Sequence, residues 1–385
     1  MGRMRIDQLA LPVAGLVVLV GASATFWLPL LTEGPATFES SAYAASGPEE
    51  HTPAAPKTPQ DLIRFGAKTV KERPTGTIRL ATYNVENLFD DKDDPALSGP
   101  NEDKSETKPL SQLEGAAAAI KALDADVLAV QEIESLEALM WFRDGWLKDL
   151  GYTYVASVDA GDARGIEQGV LSRYPIKNVE NWPGLKLSGV HPEKAPDGEP
   201  GSPLVLHRSP LKVDVILGDE SGKHETLTLF VVHHKSGFKS AYWREAEAAK
   251  VIELVKAQET AHPDRPIAVL GDFNAMPDQA SVQTYLSGGL VDALAGRTEG
   301  DPAWITHESG RIIDLILCNE VFSQHIVPGS AFVMGVPARP EGSDWRTTPP
   351  PVGYGSDHYP VAVDLKFDGV MPTSKRDVHV RKSGG

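Results

Sequence analysis

The feature that most limits the fold is that apolar, strand-like runs are joined in two different ways. TIRLATYNV alternates as a strand, SQLEGAAAAIKALD carries strong helix formers, and ADVLAVQE is a second strand, giving a strand, helix, strand unit. LKVDVIL and ETLTLFVVHH are separated only by the polar turn GDESGKH and read as a paired hairpin. A chain that mixes crossovers with hairpins cannot build a purely parallel sheet. The expected class is therefore α/β, with two mixed sheets packed face to face and helices outside.

The remaining runs fit that plan. YTYVAS, QGVLSR, PIAVLGD, WITH, RIIDLIL and YPVAVDLKF read as strands, and SLEALMWFRDGWLKDL, REAEAAKVIELVKAQE and a stretch near DQASVQTYL as helices. No internal repeat is visible. Residues 319–356 are proline-rich and are expected to form a long functional or mobile loop.

The folded domain is expected over 75–368, followed by a flexible tail over 369–385. Ahead of it, 45–74 reads as a low-order linker rich in Pro, Ala, Ser, Glu and Thr, with a short helix at PQDLIRFGAKTV. Residues 1–44 resemble an export signal: Arg3 and Arg5 precede an apolar stretch, and Ala42 to Ala44 forms a small-residue cleavage pattern. Cleaved export, to a secreted or periplasmic location, is preferred over a retained membrane anchor, for which the apolar run is long enough.

Charge narrows the function classes. The formal net charge of −16 over 385 residues argues against a broad basic face for duplex DNA, since phosphate neutralisation supplies most such affinity. A divalent cation can still mediate contact with a phosphate. The single cysteine, Cys318, lies in IIDLILCN; it excludes an internal disulfide and a cysteine-rich zinc site and reads as a buried thiol.

Chemistry collects where the strands end. Asn84 and Glu86 close RLATYNVEN, Glu132 closes VLAVQE, His233 and His234 close LFVVHH, and Asp272 and Asn274 close AVLGDFN. Asp314 sits in RIIDLIL, and Asp357 and His358 precede the last strand. Each alone has an ordinary explanation: a turn former, a helix-dipole carboxylate, a satisfied core histidine. Packing does not explain six strand ends of this kind, because an unpaired buried polar group costs about 1–3 kcal/mol, and in α/β sheets ligands bind where strands deliver side chains to a common crevice.

The set suits phosphoester hydrolysis. Carboxylates without thiolates favour a hard cation such as Mg²⁺, with Glu132 the first candidate ligand. Asp314 beside His358 would keep the imidazole charged and ready to donate to a phosphoryl oxygen. Asp272 with the Asn274 amide would orient and deprotonate water. Arg164 is a candidate for bidentate phosphate binding, and Lys235 and Lys239 for weaker approach to a phosphate backbone.

YNVEN, VLAVQEIE, GVLSRYPI, VVHHKSG, VLGDFNAMPD, IIDLILCN and GSDHYPVAV, in this order over 78–367, resemble the endonuclease/exonuclease/phosphatase family. The resemblance implies a four-layered α/β sandwich and divalent-metal-dependent cleavage of phosphoesters, with Mg²⁺ expected and Mn²⁺ or Ca²⁺ as alternatives. It implies that Asn84 contacts the phosphate, Glu132 binds metal, Asp272 and Asn274 are base and partner, and Asp314 and His358 form the acid and histidine pair. Asp357 would lie near metal, Glu86 would be a second acid, and His233 would be the catalytic histidine of the VVHHKSG motif, with His234 ranked behind it. Some nuclease members carry a tyrosine ahead of the strand matching GVLSR, where this chain has Arg164. The expected activity is a nuclease on DNA or RNA, acting as a monomer; a phospholipid or small-molecule phosphoesterase and a catalytically silent binding module are the alternatives.

Overall fold

The computed structural model describes residues 58–92, 107–195, 197–218, 224–298 and 300–370. Its first half runs β1 (Ile78–Leu88), α1 (Leu110–Leu123), β2 (Val127–Ile133), α2 (Leu136–Trp146), β3 (Tyr154–Ser157), β4 (Glu167–Ser172) and β5 (Ile176–Glu180). Next come β6 (Lys186–Val190), β7 (Pro203–Val205), β8 (Leu211–Gly218), β9 (His224–His233) and α3 (Ala241–Ala261). The chain continues through β10 (Ile267–Asp272), α4 (Ala280–Ser287), β11 (Val291–Asp292), β12 (Asp314–Cys318), α5 (Glu320–Ser323), β13 (Phe332–Val333) and β14 (Val361–Leu365).

Two six-stranded sheets result, ordered β13-β14-β1-β2-β4-β3 and β11-β12-β10-β9-β8-β5, with β6 and β7 forming a separate hairpin. β1 pairs with β2 in parallel, and β9 with β10. Each of these pairs is bridged by a helix, α1 or α3, as a parallel pair requires. The other ladders of the two large sheets are antiparallel.

Strict alternation in the second sheet shows how the layers stack. Leu229, Val231, Ala268, Leu270 and Ile316 join the central core with the first sheet. Their neighbours Phe230, Val232, Val269, Leu315 and Leu317 face the other way and pack under Val251 and Val255 of α3 and Val282 and Tyr285 of α4. α1 and α2 cover the first sheet, so the order is helix, sheet, sheet, helix. The four-layered sandwich expected from the sequence is the observed fold.

Small residues let α1 lie unusually close to a loop. A Cβ on Gly115 would stand 2.1 Å from the Tyr354 carbonyl oxygen, and one on Gly355 would stand 2.3 Å from the Ala116 nitrogen. The stretch leading to Asp357 and His358 is thus seated against the middle of that helix.

Several expectations change. PQDLIRFGAKTV forms only a 3-10 turn at Pro59–Leu62, after which Ile63 bridges to Pro337 and Ala67 to Met334. Gly66 adopts φ 74° and passes so near Gly335 that a Cβ would be 2.6 Å from its nitrogen, a geometry that ends any helix. Phe65 and Val70 pack on the core, so the part of the expected linker that is described, from Thr58, is joined to the domain. WITH does not form a strand: Pro302–Trp304 is a 3-10 turn and His307 makes an isolated bridge to His358. The long stretch 319–356 contains α5 and β13. The expected export signal, the first part of the linker and most of the tail lie outside the described residues. Among the described residues no helix is long and apolar enough to cross a membrane.

Gly271 precedes Asp272 at φ 137°, and a Cβ there would lie 2.1 Å from the Val232 carbonyl oxygen of the adjacent strand. Gly271→Ala is expected to lower stability by about 2–4 kcal/mol, combining backbone strain with overpacking. Urea unfolding measures it; an unchanged midpoint would show that β9 and β10 are not so close.

Candidate active site

Strand register builds the floor of the site. Asp272 stands opposite His233 on β9 and opposite Asp314 on β12, which places three polar side chains in a row at one end of the second sheet. Asn84, at the matching end of β1, reaches across from the first sheet and donates from Nδ2 to Asp272 Oδ2 at 3.3 Å and to Glu132 Oε1 at 3.4 Å. Glu132 has φ 61° at an irregularity in the β2–β4 ladder, a bulge that re-aims its side chain. Glu86, Asn87 and Asn274 also have φ near 50°, so left-handed non-glycine backbone is concentrated around this end of the sheets.

Asp272 is held in one orientation. The Asn274 backbone N–H donates to its Oδ1 at 2.7 Å, and the Asn274 amide donates to its Oδ2 at 3.1 Å. Burial, with the charges of Asp314 and Glu132, pushes its pKa up to about 6 against the opposing pull of His358 and the Asn274 N–H. That is within reach of neutral pH from the ionised side.

His358 approaches from the first sheet. Its Nδ1 lies 2.9 and 3.0 Å from the two Asp314 oxygens, and its Nε2 is 3.8 Å from both Asp272 Oδ2 and Asp357 Oδ1. Burial opposes the charge, but Asp314, Asp272 and Asp357 together raise its pKa well above the ordinary histidine value. Ser356 sets the approach: its hydroxyl donates to the Asn84 carbonyl at 2.7 Å and accepts from the His358 N–H at 3.1 Å.

The two histidines of LFVVHH stand in different surroundings. His233 Nε2 lies 3.5 Å from Asp272 Oδ2 and 3.7 Å from Glu132 Oε1, in the cleft. Its Nδ1 is buried with no partner, and burial together with Arg208 and His358 drives its pKa well below the usual value, so the ring is neutral. His234 has both nitrogens engaged, with the Tyr285 hydroxyl at 2.8 Å and Glu247 Oε2 at 3.2 Å, and is a packing residue beneath α3 and α4.

Glu86, Glu132 and Asp357 supply further carboxylates to the same cleft. The Tyr354 hydroxyl donates to Glu86 Oε2 at 2.7 Å, as does the Asp357 N–H at 3.2 Å. Burial and the Asp357 charge push Glu86 up to about 7. Asp357 is held below the usual carboxylate range in spite of burial, by the hydrogen bond from His307 and the charge of His358. Carboxylates crowded to this degree, with only oxygen donors among them, fit a hard divalent cation, whose charge would relieve the repulsion that raises Glu86. The tightest clusters of ligand-capable atoms, His307–Asp357–His358 and Asp272–Asp314–His358, overlap this set.

Arg164 lies 3.3 Å from Glu132 Oε2 and also hydrogen-bonds Asn87 Oδ1. Ten of the residues singled out in the sequence therefore meet at one end of the two sheets, eight of them lining a cleft of about 720 Å³, with Asn84 and Asp314 buried behind it. Lys235 turns away to Asp197, 3.0 Å distant. Sequence reasoning missed His307, whose Nε2 lies 3.2 Å from Asp357 Oδ2 and whose ring meets that of His358 edge-on at 4.5 Å. It missed Tyr354 and Lys108 as well, the latter donating to the Glu86 carbonyl at 2.6 Å. A histidine in WITH, read as an ordinary strand, gave no separate signal.

No curated protein matches the chain. Among solved structures it is similar to the human Nocturnin catalytic domain with bound sulfate, at 15% identity and TM-score 0.48, covering 81% of this chain and 100% of that one. It is also similar to the mannosyl-6-phosphatase of Bacteroides thetaiotaomicron, at 19% identity and TM-score 0.46, covering 75% of this chain and 100% of that one. A truncated Caenorhabditis elegans TDP2 matches at 12% identity and TM-score 0.46, covering 76% and 98%. The sequence model of the Endonuclease/Exonuclease/phosphatase family matches residues 81–358, which include every residue of the site named above, and the chain belongs to that family of phosphoester hydrolases.

Proposed function

We propose that the protein is a divalent-metal-dependent phosphodiesterase that works with Mg²⁺ and cleaves nucleic acid. The observation that carries this reading is the convergence of an oriented carboxylate, Asp272, and a charged imidazole, His358, on the cleft that also holds Glu86, Glu132 and Asp357. Beyond the reaction centre the cleft walls include Phe65 and Trp345, aromatic surface that a nucleotide uses and a bare phosphoryl group does not.

Asp272 is the general base. Its Oδ1 is occupied by the Asn274 N–H, and its other oxygen, though also bonded by amide hydrogens, faces the His233 and His358 rings, where attacking water would lie. A carboxylate of pKa near 6 is ionised at neutral pH and takes the water proton onto itself as the water attacks. His358, its Nδ1–H given to Asp314, donates from Nε2 to a phosphoryl oxygen as negative charge grows there. Neutral His233 presents Nε2–H between Asp272 and Glu132 and fixes the same phosphoryl group, and Asn84 holds both carboxylates apart. Glu132, Glu86 and Asp357 would hold the cation, which supplies charge neutralisation at the phosphate when bound. Arg164, now on Glu132, is placed to take a substrate oxygen. Export completes the reading, on the basic and apolar residues that open the chain.

Chelation is expected to abolish hydrolysis and Mg²⁺ to restore it, with plasmid DNA, single-stranded DNA, RNA, a phospholipid and a sugar phosphate offered in parallel; cleavage only of the last two would remove nucleic acid as substrate. Because Asp272 acts ionised and its pKa is raised, kcat/KM should climb with pH through a limb near 6 and stay level until His358 loses its proton well above that. Asp272→Asn should lower kcat by on the order of 10²–10⁴ and erase the acid limb; a retained limb would assign it to another group. Asp314→Asn should lower the His358 pKa, followed by imidazole NMR, and an unmoved titration would mean that Asp314 does not hold the charge.

A further inference from the structure

The cleft has the wrong charge for a long polyanion. Six acidic side chains line it against two arginines, and both arginines are engaged, Arg164 with Glu132 and Arg64 with the Arg339 carbonyl at 3.1 Å. Duplex DNA is gripped through many neutralised phosphates, and nothing in the cleft lining offers a row of cations for them. Beyond the one phosphate that the bound cation and Arg164 would take, affinity for a nucleic acid must come from another source.

Trp345 supplies one. It lines the cleft and is 64% exposed, an unusual position for an indole. The Arg346 guanidinium lies over one face of its ring, 4.7 Å from the centroid, while the indole as a whole stays largely exposed. The turn that carries it is fixed: the Arg346 N–H donates to Asp344 Oδ1 at 3.0 Å and the Thr348 N–H to the Asp344 carbonyl at 2.8 Å. Arg339 then ties that turn to the reaction centre, donating to the Thr348 carbonyl at 3.0 Å, to Glu308 Oε2 at 3.0 Å and to the Tyr354 hydroxyl at 2.7 Å. Tyr354 in turn holds Glu86. A stacking surface is thus braced rigidly to one of the acids of the site.

We propose that Trp345, backed by Arg346, is the platform for one unpaired nucleobase of the substrate, so that the enzyme takes single strands and strand ends and rejects continuous duplex. This deepens the nuclease reading and rests on it. Stacking is tolerant of base identity, because every base has a π face, so selection is for unpaired structure and not for sequence.

The test is equilibrium binding of a phosphorothioate-linked oligothymidylate to the full chain in Mg²⁺, alongside the same strand with an abasic nucleotide and its duplex. Wild-type protein should bind the single strand best. Trp345→Ala should weaken that binding about tenfold, a loss of one stacked base, and Trp345→Phe should restore most of it. In turnover of thymidine 5′-(p-nitrophenyl phosphate), the Trp345→Ala loss should fall on KM and not on kcat. Equal binding by Trp345→Ala, tighter binding of duplex, or equal weakening of the strand and its abasic version by Trp345→Ala overturns the platform. Cleavage of DNA or RNA with unchanged Trp345→Ala binding would sink the platform alone; Trp345-dependent binding without cleavage would sink the nuclease reading alone.

Discussion

The contact between the Asp314 carboxylate and His358 Nδ1 is the interaction on which the site depends, because its partners belong to different sheets. Asp314 begins β12 in the second sheet, and His358 stands just before β14 in the first. Both are buried. Removing either partner of such a pair typically costs roughly 3–5 kcal/mol, since the survivor is left charged and unpaired, whereas an apolar replacement of both would cost far less. Stability alone therefore does not account for placing an ion pair there. It fixes where the two sheets meet at the cleft and which nitrogen of the imidazole is left free of Asp314.

Around that pair the backbone is bent out of its ordinary regions. Glu86, Asn87, Glu132 and Asn274 all take left-handed conformations, each of which costs on the order of 1–3 kcal/mol and persists only where the surroundings impose it. The surroundings are the paired strands behind them. β1, β2 and β10 are buried along almost their whole length, so their ends can be strained without fraying. The acids are similarly opposed to their own environment: Glu86 is crowded towards neutrality while Asp357, beside it, stays ionised through His307.

The sequence carried the chemistry of the strand ends because polar residues at the close of an apolar run break a pattern, and Asn84, Glu132, His233, Asp272 and Asp314 all break it. It could not carry register, which decides that Asp272 faces both His233 and Asp314. Long-range bridges were equally silent. His307 joins the site only because its strand-like segment pairs with 357–359, some fifty residues later, and Arg64 reaches the cleft only because Gly66 and Gly335 pass at close range. The reading of PQDLIRFGAKTV as helix failed for the same reason: local propensity was overridden by a distant neighbour.

The close seating of α1 on the loop at Tyr354 gives His358 an unexpected dependence. Between Gly115 and Gly355 nothing but hydrogen separates a helix from the chain that leads to His358. The helix thus serves as a distance gauge for the reaction: its surface sets the depth at which an imidazole enters the cleft. Warming that loosens this helix would displace His358 while both sheets remain intact, so any activity that uses this imidazole would fade at temperatures where spectroscopy still reports a folded protein.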